Sequence, residues 1–295
     1  MRASLLLAGT AVVFALGCSD KTSAGSGGNG GTAGTNVGPA SGTAGTAGTA
    51  GTAGTAGTSN VTSTGTGIPS VGGIFEPPEP WTKDVSGLSS DTRSDAIIAA
   101  LGSLGGWGNG NVLQTDFSII LLGANSVTPR QTITSIAGTY CYGGTDCDAV
   151  PLQMPMPTNG NTEGSSDYTC DPSQDDCHVL VLEKDEKKLY ELYNATQSGS
   201  AFTARGAFIW DLTKAYPDNL RGDQCTSADA AGLPMAGLLA TADEVATGEV
   251  KHALRFILPN DHMKADVYVH PASHAGGPTL QRSAAWCSIR RVATP

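Results

Sequence analysis

The stretch HVLVLE (His178–Glu183), followed by the charged quartet KDEK and by KLYELY (188–193), decides the fold. The first run is rich in leucine and valine and the second in leucine and tyrosine, and a short charged segment between two such runs is typical of a hairpin turn. The pattern therefore predicts an antiparallel hairpin centred on the quartet. In that register His178 lies directly opposite Tyr193.

The face of this hairpin that carries His178 also carries Glu191, which lies opposite Leu180. The other side chains predicted on that face are leucines and Tyr193. A carboxylate and an imidazole on an otherwise apolar face shift each other's pKa, and such pairs suit proton transfer. We therefore interpret His178 and Glu191 as candidate catalytic residues and Tyr193 as a candidate substrate contact.

Another strand is predicted at 249–258, where alternation places His252 on an apolar face with Val250 and Leu254. Arg255 lies on the opposite face of that strand. His252 is the third candidate catalytic residue, and Arg255 is a second candidate substrate contact. A structural interpretation stays open beside the catalytic one, because buried polar groups commonly satisfy one another or the backbone.

The rest of the domain favours strands with a few short helices. Helical spacing runs from Asp91 to Leu101, and Thr241-Ala-Asp-Glu244 fits a capping box that opens a short helix. The pattern as a whole predicts a mainly β fold, an antiparallel β-sandwich of jelly-roll-like form, with α+β as the alternative. The further predicted strands are Phe117–Leu122, 131–142, Phe202–Leu212, Asp266–His270 and Leu280–Val292.

A long irregular loop is predicted at 143–177, where four prolines and seven acidic residues occur without lysine or arginine. Loops of this length are unusual unless they are functional or disordered.

Seven cysteines are present, six of them after residue 18, and an even number in an exported chain indicates disulfides.

Six cysteines allow fifteen pairings, of which short loops favour two pairs; the third pair follows by elimination. A zinc site is the alternative, although no Cys-x-x-Cys pair occurs. The predicted disulfides are Cys141–Cys147, Cys170–Cys177 and Cys225–Cys287.

Residues 1–18 predict an export signal that ends in a lipid attachment site. One basic residue, Arg2, precedes an apolar run that is too short to span a bilayer as a stable helix. The run ends in Ala15-Leu16-Gly17-Cys18, which resembles the bacterial lipobox; an ordinary cleaved signal is the alternative. Acylation of Cys18 would anchor the protein at a membrane, and Ser19 in place of aspartate indicates the outer membrane or the cell surface.

Residues 19–74 consist almost entirely of Gly, Thr, Ala and Ser, with five Thr-Ala-Gly triplets in a row. Such a segment buries too little apolar surface to fold, so we predict a disordered tether. Residues 75–295 then form a single disulfide-bearing domain. The whole chain carries −10 and its first 74 residues carry +1, so the domain carries −11, which argues against nucleic acid as a partner.

Four runs of the domain stand out: HVLVLEKDEKKLYELYNA (178–195), GAFIWDL (206–212), SADAAGLP (227–234) and DEVATGEVKHALRF (243–256). Together with the opening segment PWTKDVSGL, they resemble a family of secreted bacterial proteins of uncharacterised function. The chain departs from the family pattern at Cys225, where tryptophan is more usual, and the family usually continues beyond Pro295. The resemblance implies export and supplies no activity.

No sequence signature of a phosphate-binding loop, a serine hydrolase or a zinc protease occurs, and we predict neither a cofactor nor a metal. Asp171-x-Ser173-x-Asp175 has part of the spacing of a calcium loop, but lacks its glycine and its final glutamate. His270 and His274 would ligate one metal only from a helix, which Pro271 opposes. Trp210 stands in a strand pattern and is predicted to lie in the core.

Two functions fit these observations. The first is an extracytoplasmic hydrolase or lyase acting on polysaccharide, with Glu191 as acid or base, His178 as its partner and His252 as a second proton-transfer group. Tyr193 or Arg255 would contact the substrate. The second is a non-catalytic surface protein for glycan binding or envelope structure, in which the three ionisable groups are hydrogen-bonded parts of the core.

We expect lipid to be attached at Cys18. Labelled fatty acid added to cells that express the protein should enter the wild type and should not enter Cys18→Ala, because only the thiol of that residue follows the lipobox-like sequence. Equal labelling of the two proteins contradicts the expectation.

Overall fold

A computed structural model of the chain describes residues 73–85, 87–106, 118–136, 140–143, 146–170, 176–256, 258, 262–263 and 267–275. All of these belong to one compact unit. The predicted signal segment, the predicted lipid attachment site Cys18, the predicted tether up to residue 72, Cys287 and the strand predicted at Leu280–Val292 lie outside the described residues. Within the described part of the chain, no helix is both long and apolar enough to cross a membrane.

The described residues form one six-stranded mixed sheet. Its strands are β1 (Leu121–Ala124), β2 (Arg130–Ser135), β3 (Leu152–Pro155), β4 (His178–Glu183), β5 (Lys188–Ser198) and β6 (Ala201–Asp211). They lie in the order β1-β4-β5-β6-β2-β3. The pairs β1/β4 and β2/β6 are parallel, whereas β4/β5, β5/β6 and β2/β3 are antiparallel. The fold is thus mainly β, as the sequence predicts.

The predicted hairpin forms the centre of this sheet. His178 pairs with Tyr193, and Leu180 pairs with Glu191, so the register is the one that the sequence predicts. Strand β6 adds antiparallel to β5, with Glu191 opposite Phe208. Trp210 of β6 is fully buried, as predicted.

The prediction of an antiparallel sandwich is wrong, because the sheet is mixed and no second sheet packs on it among the described residues. Strand β1 pairs with β4, and the two strands are parallel. The segment between them supplies β2 and β3 to the far edge, where β2 runs parallel to β6. A long connection can bring the next strand alongside in either the parallel or the antiparallel sense. Alternation of residues along a strand does not decide between the two senses.

The two faces of the sheet carry separate apolar clusters. One face, with Leu180, Leu182, Leu189 and Trp210, lies under residues 220–256, which we call the covering segment. The covering segment is largely irregular and contains only a 3₁₀ turn, Ala236–Leu238, and a short helix, α2 (Ala242–Thr247). The opposite face packs against residues from the loop before β4, among them Met156 and Tyr168.

The helices and loops follow the sequence in part. Helix α1 spans Ser94–Ser103, close to the predicted helix. Helix α2 spans Ala242–Thr247 and begins with the predicted capping box, in which Thr241 accepts a hydrogen bond from the N–H of Glu244. The loop predicted at 143–177 is irregular in its described part except for β3.

The strand predicted at 249–258 is absent from the described residues of that stretch. Instead the chain runs through two isolated backbone hydrogen bonds, from the N–H of Ala253 to Trp81 and from the N–H of Arg255 to Leu238. Alternation of apolar and polar residues therefore reflects packing of an irregular segment and not a ladder. No strand forms at residues 267–270 either.

Two predicted disulfides, Cys141–Cys147 and Cys170–Cys177, are present. Cys225 is also disulfide-bonded, and its predicted partner Cys287 lies outside the described residues. The first two bridges lie at the beginning and the end of the irregular loop that precedes β4.

We expect Gly232→Ala to destabilise the fold far more than Gly248→Ala. Both glycines have positive φ, +82° and +78°, so both substitutions share the cost of that backbone conformation. A Cβ at Gly232 would lie 2.7 Å from the carbonyl oxygen of Cys225 and closer still to Oγ of Ser273, whereas one at Gly248 meets nothing within 4 Å. Urea unfolding should show an additional loss of about 1–3 kcal/mol for Gly232→Ala. Equal losses would mean that the covering segment is not packed in this way.

Candidate functional site

A pocket of about 50 Å³ lies where the covering segment meets the beginning of β4 and the middle of β5 and β6. Its wall is partly aromatic and partly charged, and the Cys141–Cys147 disulfide forms another side. The wall includes the charged, aromatic and hydroxyl side chains of Asp176, His178, Tyr193, Arg205, Phe208, Ser227 and Arg255.

Arg255 is held rigidly at this pocket. Its Nε donates to Oδ1 of Asp229 at 2.8 Å, and its side chain is only 10% exposed. Burial alone would lower the pKa of Arg255, but the charge of Asp229 and the hydrogen bond to it outweigh burial and raise the pKa. The guanidinium is therefore charged, and Asp229, whose side chain is fully buried, is its partner.

Asp229 is positioned by the turn that the SADAAGLP run forms. Its Oδ2 accepts from the N–H of Ala231 at 3.1 Å, and its carbonyl accepts from the N–H of Gly232 at 2.9 Å. The hydroxyl of Ser227 accepts from the N–H of Asp229 at 3.0 Å and donates to the carbonyl of Leu233. This run therefore folds around its own polar side chains and presents one carboxylate to Arg255.

His178 is buried at the edge of the pocket. Its Nδ1 lies 2.6 Å from Oε2 of Glu163, and its Nε2 donates to the carbonyl of Ala228 at 3.2 Å. Burial would lower the pKa of His178, but the hydrogen bond to Glu163 and the charge of Asp176 outweigh it and raise the pKa. Both ring nitrogens face acceptors, so the imidazolium is the form that this environment favours.

Glu191 lies beneath the covering segment and not in the wall of the pocket. Its side chain is fully buried; Oε2 accepts from Nε1 of Trp210 at 3.1 Å, and Oε1 accepts from the N–H of Ala236 at 2.9 Å. Burial raises the pKa of Glu191 to about 7, against the opposing effect of these two hydrogen bonds. The charge of His178 acts on Glu191, but no hydrogen bond joins them.

His252 also lies apart from the pocket wall. Its Nδ1 donates to the carbonyl of Ala253 at 2.8 Å, and its Nε2 lies 3.3 Å from Oε1 of Glu244. Glu244 is the residue that closes the capping box of α2. The three candidate catalytic residues thus have three different sets of partners, and they share no hydrogen bond.

Of the residues that the sequence singles out, His178, Tyr193 and Arg255 line the pocket, whereas Glu191 and His252 do not. The sequence reasoning missed Asp229 and Glu163, the partners of Arg255 and His178. For Asp229 a signal exists, because a lone acid among alanine, glycine and leucine is a candidate for burial with a cation. Glu163 stands in an acidic loop, where nothing distinguishes it from the acids around it.

No group of three or more His, Cys, Asp or Glu residues that would hold a metal occurs in the described part of the chain. His270 lies 2.7 Å from Asp223, and Nδ1 of His274 donates to the carbonyl of Ala230, so these two histidines have separate partners. The calcium-like segment 171–175 lies outside the described residues.

Comparison of the chain with protein-family models, with curated proteins and with solved structures finds no match. The resemblance to a family of secreted bacterial proteins therefore stays a prediction. The four runs on which it rests meet around this site in the structure, since they supply His178, Phe208, Asp229 and Arg255.

We expect Glu191 to make the stability of the fold depend on pH. A carboxyl whose pKa is raised by folding binds a proton more tightly in the folded state, so its contribution falls as pH rises from about 4.5 to about 7. Glu191→Gln removes this dependence. The difference in free energy of unfolding between wild type and variant should change by roughly 3 kcal/mol in favour of the variant from pH 4.5 to pH 8.5.

The control for this measurement is Glu249→Gln, because the side chain of Glu249 is 62% exposed. Its difference from wild type should be nearly constant over the same pH range. A constant difference for Glu191→Gln as well would show that Glu191 is not buried as described.

Proposed function

We propose that this chain is an extracytoplasmic, lipid-anchored protein whose pocket at Arg255 binds polysaccharide without catalysis. The sequence of residues 1–18 supports export and acylation at Cys18, and the long tether after it suits a domain that works away from the membrane. The protein would contact the membrane only through the lipid on Cys18, and its ligand would be a polysaccharide. The −11 charge of the domain argues against nucleic acid.

The position of Arg255 carries the proposal. Ligand sites combine an apolar wall with a few polar groups of fixed orientation, and this pocket combines a charged, immobilised guanidinium with an aromatic ring, Tyr193, in its wall. Aromatic rings beside hydrogen-bond donors suit sugars, which present apolar faces and polar edges.

Binding is favoured over catalysis by the state of the three candidate catalytic residues. Glu191 is fully buried and hydrogen-bonded to Trp210 and Ala236, so a polymer in the pocket does not reach it. His252 is buried beside Glu244. His178 lines the pocket, but hydrogen bonds occupy both of its ring nitrogens.

A second candidate function is a polysaccharide hydrolase or lyase. The observation that favours it is the Glu163–His178 pair, because a carboxylate 2.6 Å from an imidazole orients that ring for proton transfer. Such an enzyme would have to release Nε2 of His178 from the carbonyl of Ala228 on binding its substrate.

The two candidates are separated by incubating the mature protein with a panel of insoluble and soluble polysaccharides. We expect retention on at least one polymer with no change in its chain length and no new unsaturated ends. Shortening of a polymer by the wild type supports the enzyme, and absence of retention on every polymer contradicts polysaccharide binding.

A pocket-filling variant locates the binding site. Ala230 lines the pocket, so Ala230→Phe should abolish retention by occupying it. The matched control is Ala242→Phe, because Ala242 is exposed at the beginning of α2. Equal retention of the two variants would place the site elsewhere.

A further inference from the structure

We infer that Arg255 binds a carboxylate group, which makes polysaccharides with acidic sugars the ligand class of this pocket. The inference rests on the proposed function, since it assigns the ligand of the same pocket. It follows from the hydrogen bonds that Arg255 does and does not make, from the charges around it, and from the size of the pocket.

The guanidinium of Arg255 is only partly used by the protein. Nε donates to Asp229 at 2.8 Å, and among the described residues no acceptor is hydrogen-bonded to the two terminal amino groups, Nη1 and Nη2. The side chain is nine-tenths buried and lines the pocket. Two parallel N–H groups on a planar cation match the two oxygens of a carboxylate, and such forked pairs are among the strong hydrogen bonds.

The orientation of this fork does not depend on the ligand. Asp229 holds Nε from one side, and the backbone N–H of Arg255 donates to the carbonyl of Leu238 at 3.1 Å. Because the guanidinium is ordered before binding, little conformational entropy is lost when a carboxylate arrives. The fixed fork therefore favours a planar, bidentate acceptor over a single hydroxyl group.

The charges near the guanidinium fork favour a ligand group with one negative charge over a group with two. Arg205 and His178 line the same pocket as Arg255, so three basic side chains surround the space. Three carboxylates accompany these cations: Asp229 is hydrogen-bonded to Arg255, Glu163 is hydrogen-bonded to His178, and Asp176 lines the pocket with its side chain 41% exposed. These carboxylates oppose a doubly charged group such as a phosphate monoester more strongly than a singly charged carboxylate.

The size of the pocket indicates which part of the ligand enters. A small pocket of about 50 Å³ that is open to solvent admits a carboxylate group more readily than a whole sugar ring. The carboxylate would then enter while the sugar ring stays nearer to solvent, and Tyr193 supplies an aromatic part of the wall. A carboxylate carried on the ring of an acidic sugar has this shape.

Calorimetric titration of the mature protein tests the inference on the ligand side. The probes are oligomers of galacturonic acid, the same oligomers after esterification to methyl esters, oligomers of galactose, and poly-glutamate. Esterification removes the charge and keeps the ring. We expect it to weaken binding by roughly tenfold to a hundredfold, the effect of losing charged hydrogen bonds.

Variants of the protein test the same contact from the other side. Arg255→Lys keeps a positive charge beside Asp229 but loses the fork, so we expect roughly a tenfold loss of affinity for the acidic oligomer and none for the neutral one. Asp229→Asn combined with Arg255→Gln removes both buried charges at once and should lose the preference for acidic oligomers entirely. The control is Lys251→Gln, whose site is exposed.

Each outcome separates the inference from the proposed function. Equal binding of acidic, esterified and neutral oligomers overturns the carboxylate inference and leaves polysaccharide binding in place. Binding of poly-glutamate that depends on Arg255, without binding of any sugar oligomer, supports the carboxylate contact and contradicts the proposed function. Absence of binding to every probe overturns both.

Discussion

The buried ion pair between Arg255 and Asp229 is the interaction on which the rest of the structure depends. Asp229 has no exposed surface, and Arg255 has little. Two charges removed from water are costly unless each is paired, and loss of one partner leaves the other uncompensated. The pair ties the turn that begins at Ser227 to the distant part of the covering segment, and it leaves the two terminal amino groups of Arg255 without a hydrogen-bond acceptor among the described residues.

The same logic explains why an otherwise apolar face of the sheet carries His178 and Glu191. The covering segment is largely irregular, so many of its backbone groups have no partner of their own in a helix or a ladder, and buried backbone groups must be paired. Glu191 accepts the N–H of Ala236, and His178 donates to the carbonyl of Ala228. Polar side chains on the sheet thus supply the hydrogen bonds that a regular second layer would make within itself.

This arrangement changes how the ionisable residues should be interpreted. An acid and a histidine on one apolar face indicate a catalytic pair when only the sequence is known. In the structure Glu191 fastens the covering segment to β5, and its raised pKa follows from burial. Arg255, a secondary candidate in the sequence, presents the group with the clearest capacity to bind a ligand.

Features that depend on residues close together in the chain could be predicted from the sequence. The β4–β5 register followed from the alternation around the turn, the capping box from Thr241 and Glu244, and the burial of Trp210 from its place in a strand pattern. The parallel pairing of β1 with β4 is a contact between residues far apart in the chain, and no local pattern encodes it. The partner of Arg255 was missed for the same reason, because Asp229 lies in another run.

The most direct test of this description is a double-mutant cycle on the buried pair, with the free energy of unfolding measured for wild type, Asp229→Asn, Arg255→Gln and the double variant. If the two charges stabilise each other as the structure shows, the double variant should be more stable than the sum of the single losses predicts, by about 2 kcal/mol. Losses that add to within about 0.5 kcal/mol would contradict the pair, and with it the fixed guanidinium at the pocket.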